Sequence, residues 1–501
     1  ETPRVTKPYS EHEWQSILAC GERVDAELGA NDVRLTVGGE PTFVSIDYPE
    51  GDEWNTAAVG PTKRKFGIEL IKRLQKRFAP GGVLHMGQGK WYPGEQLPRW
   101  AFALYWRRDG QPIWANPKLI ADDEPDQPAT IEQLEKLALG IASQLDLPPE
   151  GVAPTYEDPW HFLGKEASLP PNLDASNNKL DDPLERERLA RVVENGIGEV
   201  VGFALPVQRW NAADKRAGWR TERWKTRSGK LFLVPGDSPV GYRLPLGSLP
   251  WIRESDYPNV LPRDPFAERE PLPDAESLWQ QYRVQAAPVS GPGDGAAASR
   301  DTVIGREVRT AMAFEVRNGV LCVFMPPVEA LEDYLELLAA VEDSAGALDL
   351  PIHLEGYPPP YDPRLCEIKV TPDPGVIEVN VQPASSWAEM VEITETLYEE
   401  ARKTRLDTQK FMTDGRHTGT GGGNHVVLGG ARPVDSPFLR RPDLLRTLIA
   451  YWQQHPSLSY LFSGLFIGPT SQAPRIDEAR HDSLHELELA FTEVPHPDSG
   501  Q

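Results

Sequence analysis

The sequence predicts an α+β fold: an antiparallel sheet with helices on one face, carrying a loop-rich insertion dense in tryptophan and proline. Three observations lead there. The runs Thr310–Arg317 and Val320–Met325 are joined at Asn318-Gly319, a strong hairpin signature. Cys366–Thr371 and Val376–Val381 flank Pro372-Asp373-Pro374-Gly375 and read as a second hairpin. Amphipathic helical stretches alternate with these hairpins, which points to antiparallel sheet with helices on one face.

Taken in order, Ser10 to Leu28 reads as a helix with Trp14, Leu18 and Val24 on one face. Val33, Leu35, Val37, Val44 and Ile46 then alternate with polar residues, so a strand is expected, broken at Gly38-Gly39-Glu40-Pro41. Proline cannot donate to a ladder, so Pro41 marks an edge, bulge or break, and Glu40 is delivered there toward a cleft. Pro61 to Phe78 is a basic amphipathic helix with Phe66, Leu70, Leu74 and Phe78 at fourfold spacing, and Lys63 and Arg64 in its first turn within reach of a phosphate. A strand follows Pro80-Gly81-Gly82, and Met86 to Trp100 reads as a rigid loop presenting Gln88, Lys90 and Arg99. It is not a phosphate loop of the GxxxxGK[ST] kind. Ala101 to Ile113 reads as a strand pair turning at Arg108-Asp109-Gly110, and Thr130 to Leu145 as a helix.

Residues 1–147 and 301–501 form the two parts of the main domain in this reading. Residues 148–300 are the insertion, with tryptophans at 160, 210, 219, 224, 251 and 279, short strands at Glu199–Pro206 and Lys230–Pro235, and a Pro/Gly-rich linker at 286–299. Helices are expected at Val328–Ala345, at Ser386–Thr404 with serine caps, at Pro442–Gln454 and at Ser457–Leu465.

A net charge of −23 argues against general nucleic-acid binding, which rests on neutralising phosphates. No stretch approaches the ~20 apolar residues of a membrane span, and a cytoplasmic protein is expected. Cys20, Cys322 and Cys366 form no CxxC pair, which argues against a disulfide framework or zinc site.

The densest signal is Thr418 to Gly430, a glycine cluster that passes Asn424 and His425 and enters the apolar run Val426-Val427-Leu428, read as a buried strand. In the second hairpin, period 2 puts Glu378, Asn380 and Gln382 on one face and Val379 and Val381 on the other. Glu40, Glu378 and His425 are then three ligand-type residues in one sheet. Carboxylates suit a hard cation such as Mg²⁺, with Lys90, Arg99 and Arg475 offsetting phosphate charge.

Five segments together carry a family resemblance: GGEPTFVSID (38–47), GQGKWYPGEQLPRWA (87–101), VTPDPGVIEVNVQP (370–383), TDGRHTGTGGGNHVVLGG (413–430) and SGLFIGPTSQAPR (463–475). From about Asp32 to Phe491 the chain resembles the amidoligase domain attached to bacterial transglutaminase-like proteins, placed with the glutamine synthetase-like carboxylate–amine ligases. The resemblance implies a glutamine synthetase-like sheet and ATP- and Mg²⁺-dependent formation of an amide or peptide bond through an acyl phosphate. It implies Glu40 and Glu378 as metal ligands, and His425 and Arg475 as catalytic. Lys90, Arg99, Asn380, Gly421, Gly422, Gly423 and Asn424 would hold nucleotide. The substrates would be a peptide or small carboxylate and an amine, with an attached transglutaminase-like domain as a partner. Thr42 stands where the class has a second glutamate, and the family pattern is expected to continue past Gln501. Two other readings stay open: a non-catalytic ligase-like scaffold binding a peptide, and a saccharide-processing protein using Trp91, Trp100 and Glu95.

Overall fold

The computed structural model describes residues 9–95, 98–123, 125, 127–167, 198–210, 218–251, 269–274, 308–411, 417–420, 425–455 and 483–494. In chain order it begins with helix α1 (Glu11–Ala30), strands β1 (Leu35–Glu40) and β2 (Thr42–Ser45), α2 (Pro61–Phe78), β3 (Val83–Gln88), β4 (Trp100–Arg107) and α3 (Ile131–Gln144). Next come β5 (Ala153–Tyr156), α4 (Pro159–Glu166), β6 (Val200–Pro206), β7 (Gln208–Trp210), β8 (Gly218–Arg220) and β9 (Leu231–Phe232). Then follow β10 (Ala311–Arg317), β11 (Val320–Met325), α5 (Leu331–Leu348), β12 (Ile352–Gly356), β13 (Leu365–Asp373), β14 (Val376–Asn380) and α6 (Trp387–Lys403). The last are β15 (Leu406–Asp407), β16 (Gln409–Phe411), β17 (His417–Gly419), β18 (His425–Gly430), α7 (Pro437–Arg440), α8 (Pro442–Gln454) and α9 (Ser483–Glu493).

Helix ends follow the local chemistry. Ser10 and Glu13 form a reciprocal capping box on α1, and Thr130 and Gln133 form one on α3. Pro61 opens α2, and the Ser386 hydroxyl caps α6. Asn318 and Gly319 both take positive φ, 53° and 78°, as a two-residue primed turn requires.

The fold is α+β, built on two six-stranded sheets. The first, ordered β15-β2-β14-β13-β4-β3, is antiparallel throughout. One face of it carries Leu84, Phe102, Leu104, Ile368, Val370, Ile377, Val379 and Phe43, which pack with Leu70, Ile71 and Leu74 of α2 and Leu397 of α6. The second sheet, β12-β11-β10-β6-β5-β9, is mixed: β11–β12 and β5–β9 are parallel, and α5 makes the β11–β12 crossover. Phe203, Phe314, Val323 and Leu354 on one of its faces pack on α3 and α5. Strands from 153–156, 200–206 and 231–232 thus share a sheet with β10, β11 and β12. No helix among the described residues is long and apolar enough to cross a membrane.

Several expectations change. On α1, Trp14, Leu18, Gly21, Asp25 and Leu28 turn inward and Val24 is exposed. The reason is α6: the Trp387 ring lies where a Cβ on Gly21 would be 2.2 Å away, and Asp25 accepts from the Trp387 N–H. Ala101–Ile113 does not fold back on itself. β4 ends at Arg107 and pairs with β3 and β13, while the Ile113 N–H donates to the Gly81 carbonyl. The apolar run after the glycines is not buried, since Val426 is 68% exposed in β18, which pairs with β1. The helix expected at Ser457–Leu465 lies outside the described residues.

Candidate active site on the polar sheet face

The first sheet has a second face. Alternation along each strand turns Glu367, Lys369 and Thr371 of β13 away from α2 and α6, together with Glu378 and Asn380 of β14. The hairpin turn at Pro374-Gly375 sets the register: Lys369 lies opposite Asn380 and Thr371 opposite Glu378. Across the next gap Glu378 lies opposite Thr42. The ladder runs past the proline break, because Val379 N–H donates to Pro41 O at 3.0 Å and Val381 N–H to Gly39 O at 3.1 Å. Asn380 is therefore beside Glu40. On its other side, the backbone of Glu40 pairs with that of His425.

Two polar rows result. Lys369, Asn380, Glu40 and the His425 backbone form one; Thr371, Glu378 and Thr42 form the other. Adjacent strands are ~4.8 Å apart, so Lys369 and Glu40 are separated by about 10 Å at the backbone. Opposite residues of an antiparallel pair share a face, which brings both carboxylates to one surface.

Contacts within the rows are direct. Asn380 Nδ2 donates to Glu378 Oε1 at 2.9 Å, and Glu378 is buried. Lys369 Nζ pairs with Glu367 Oε1 at 2.6 Å, and both side chains are 39% exposed. Gln382 is buried, and its Oε1 has no hydrogen-bond partner among the described residues. Such a site offers carboxylate and amide oxygens, the donor set a hard divalent cation prefers, with one vacant acceptor in place. At the β3 end of the first row stands His85, whose burial pushes its pKa down to about 4 and keeps the ring neutral.

The glycine segment approaches the same strands. Thr420 Oγ1 and Thr42 Oγ1 are 2.6 Å apart and both residues are buried. Thr420 and His425, which flank Gly421–Asn424, thus both meet the β1–β2 strand, two residues apart. Gly421, Gly422, Gly423, Asn424 and Arg475 lie outside the described residues, and His425 is described by its backbone alone.

The two remaining cations sit elsewhere. Lys90 is exposed on the β3–β4 loop, its carbonyl accepting from Arg99 N–H at 3.0 Å. Arg99 is buried at the turn end of the β13–β14 hairpin. Its guanidinium is held by Glu95 at 2.7 Å and Asp373 at 2.5 Å, and stacks 4.3 Å from the Tyr92 ring. Arg99 also lines a cleft of about 610 Å³ with Gln88, Trp100, Tyr242, Arg317 and Glu355, where the β3 edge faces the second sheet. Lys63 does not reach outward, because Nζ donates to the carbonyls of Ala57, Ala58 and Asp373. The Glu95 carboxyl, which a saccharide-cleaving acid would need protonated, is held below the usual range by its hydrogen bond from Arg99.

Lys369, Thr371 and Glu367 were not singled out from sequence. Their signal was present: once the turn at Pro374-Gly375 is accepted, counting back from Glu378 and Asn380 gives Thr371 and Lys369 as their partners.

No curated protein and no solved structure matches the chain. The family model described as "Putative amidoligase enzyme (DUF2126)" matches residues 1–501, so the chain belongs to that family.

Proposed function

We propose that the polar face of the antiparallel sheet is the active site of an ATP- and Mg²⁺-dependent carboxylate–amine ligase of the glutamine synthetase-like class. One observation carries the reading: Glu40 and Glu378 lie on one face of adjacent strands, with Asn380 between them and Lys369 beyond. Family membership supports the reaction class, a carbon–nitrogen ligase.

Glu40 and Glu378 are the metal-holding carboxylates, with Asn380 and Gln382 supplying amide oxygens. Magnesium nucleotide, when bound, supplies the phosphoryl group that activates a carboxylate as an acyl phosphate. The protein's part is positional and electrostatic. Lys369 balances negative charge at the face, and releases Glu367 when a substrate anion takes its place. Asn380 keeps Glu378 oriented through its amide. Gly421, Gly422 and Gly423 keep the role that the family resemblance implies, backbone N–H groups that approach a phosphate oxygen. His425, Asn424 and Arg475 keep the phosphate- and carboxylate-contacting roles that the family resemblance implies. The carboxylate and amine substrates are a peptide or a small acid and an amine, and an attached transglutaminase-like domain is a fitting partner.

The test is calorimetric titration of ATP with Mg²⁺ into the wild type and into E40Q, E378Q and H425A, with circular dichroism as the folding control. Binding that needs Mg²⁺ and is lost in the folded variants is expected. Equal affinity in all four proteins would leave a non-catalytic, ligase-like scaffold instead.

A further inference from the structure

The second sheet also has a polar face, and nothing in the ligase reading uses it. On β10, β11 and β12 the residues Glu315, Cys322 and His353 lie side by side in register, and Glu355 follows two residues after His353 on the same face. Their neighbours Phe314, Val323 and Leu354 point the other way into the α3–α5 core. Cys322, His353 and Glu355 are all buried, and one ligand atom from each lies within 4.8 Å of the other two. His353 Nε2 faces the Ala121 carbonyl at 3.2 Å and Asp123 Oδ1 at 3.6 Å. A carbonyl or carboxylate behind one ring nitrogen is the usual support for a histidine that ligates a metal through the other. Glu355 also lines the 610 Å³ cleft, which gives an entry path.

A cation already stands at this place. The Arg317 guanidinium donates to the Glu355 carboxylate and to Cys322 Sγ, the latter at 3.5 Å, and also to Glu315 at 2.5 Å. Its side chain is 35% exposed and lines the same cleft, so it has room to swing outward.

We propose that Cys322, His353 and Glu355 form a Zn²⁺ site, and that Arg317 is the counter-cation that holds it open when metal is absent. One thiolate, one imidazole and one carboxylate are a donor set for zinc and a poor one for magnesium, and they leave a fourth position toward the cleft. Binding needs no redox partner: zinc bonds to sulfur and the thiol proton leaves to solvent. Sequence spacing does not announce the site, because the ligands come from two strands separated by a helix.

Cobalt is the probe. Adding Co²⁺ to the wild-type protein is expected to give one equivalent of a near-ultraviolet thiolate-to-cobalt band that Zn²⁺ abolishes. The band is expected to persist in the C20S/C366S double variant and to vanish in C322S. X-ray absorption of the zinc-loaded wild type, which needs no variant to fold, is expected to show one sulfur in a shell of nitrogen and oxygen. R317Q is expected to bind cobalt several-fold tighter, because the competing cation is gone. Absence of the band, its survival in C322S, or a sulfur-free shell would overturn the site and leave an ion-pair cluster only. Unchanged or weaker cobalt binding by R317Q would overturn the role given to Arg317.

Discussion

Replacing Thr42 with valine tests whether the glycine segment is held on the β1–β2 strand by the contact described. Valine matches threonine in shape, so the change removes a hydroxyl without opening a cavity. The Thr42 and Thr420 hydroxyls are 2.6 Å apart, with Thr42 1% and Thr420 6% exposed. Losing this buried hydrogen bond costs about 1–2 kcal/mol. That cost corresponds to a change of roughly 5- to 30-fold in the equilibrium that opens this edge. Hydrogen exchange read residue by residue is the assay. The amides of Gly419, Thr420 and His425–Val427 are expected to exchange faster in T42V by about that factor. Amides of β4 and β13, deep in the sheet, are expected to be unaffected. Either single variant removes the same hydrogen bond, so T42V/T420V is expected to be less perturbed than the sum of the singles. Unchanged exchange at these amides, with a global loss of stability instead, would refute the docking argument.

Three further outcomes follow from the fold. Lys63 is buried and its pKa falls to about 7 from 10.5, chiefly through loss of hydration. Between those values the unfolded chain holds the proton that the folded chain has released, so stability contributed by this group rises with pH, by up to about 1.4 kcal/mol per unit. Urea unfolding at pH 7, 8 and 9 reads that slope, and K63M is expected to flatten it. Gly21→Ala is expected to cost about 1–3 kcal/mol, because a Cβ would sit 2.2 Å from Trp387. Gly29→Ala on the same helix meets nothing within 4 Å and is expected to be neutral or stabilising in the same melting assay. Arg99→Met is expected to cost about 2 kcal/mol, less than the 3–5 of a fully buried pair because Glu95 and Asp373 keep some solvent. If Arg99 instead binds nucleotide directly, R99M weakens ATP binding with little change in unfolding midpoint.

Local chemistry made much of the fold legible in the sequence. The Asn318-Gly319 turn, the helix starts at Ser10 and Thr130, the Ser386 cap and the apolar spacing of α2 are each decided within a few residues, and each stands within a residue of where it was read. Period 2 likewise put Glu378 and Asn380 on one side of β14. Long-range partners decided the rest. The inward face of α1 depends on Trp387, more than 360 residues away along the chain. The exposure of Val426-Val427-Leu428 depends on β18 having only β1 as its strand neighbour among the described residues. Lys369 became visible once strand register was fixed, since a lysine in an alternating strand looks like any solvated face. Arg99 was read as a free cation because Asp373, which neutralises it, is remote in sequence. The second sheet joins strands from residues 153 to 356 in an order that no local pattern encodes.

In the proposed ligase the carboxylates of Glu40 and Glu378 hold the nucleotide's metal on the polar face of the first sheet. Anomalous diffraction from crystals grown with Mn²⁺ and a non-hydrolysable ATP analogue measures this directly. A manganese peak is expected about 2.0–2.6 Å from oxygens of both carboxylates, with the analogue's phosphates on the Thr420–His425 side. A nucleotide-associated peak in the cleft between the sheets, or phosphates bound with no metal near Glu378, would contradict it.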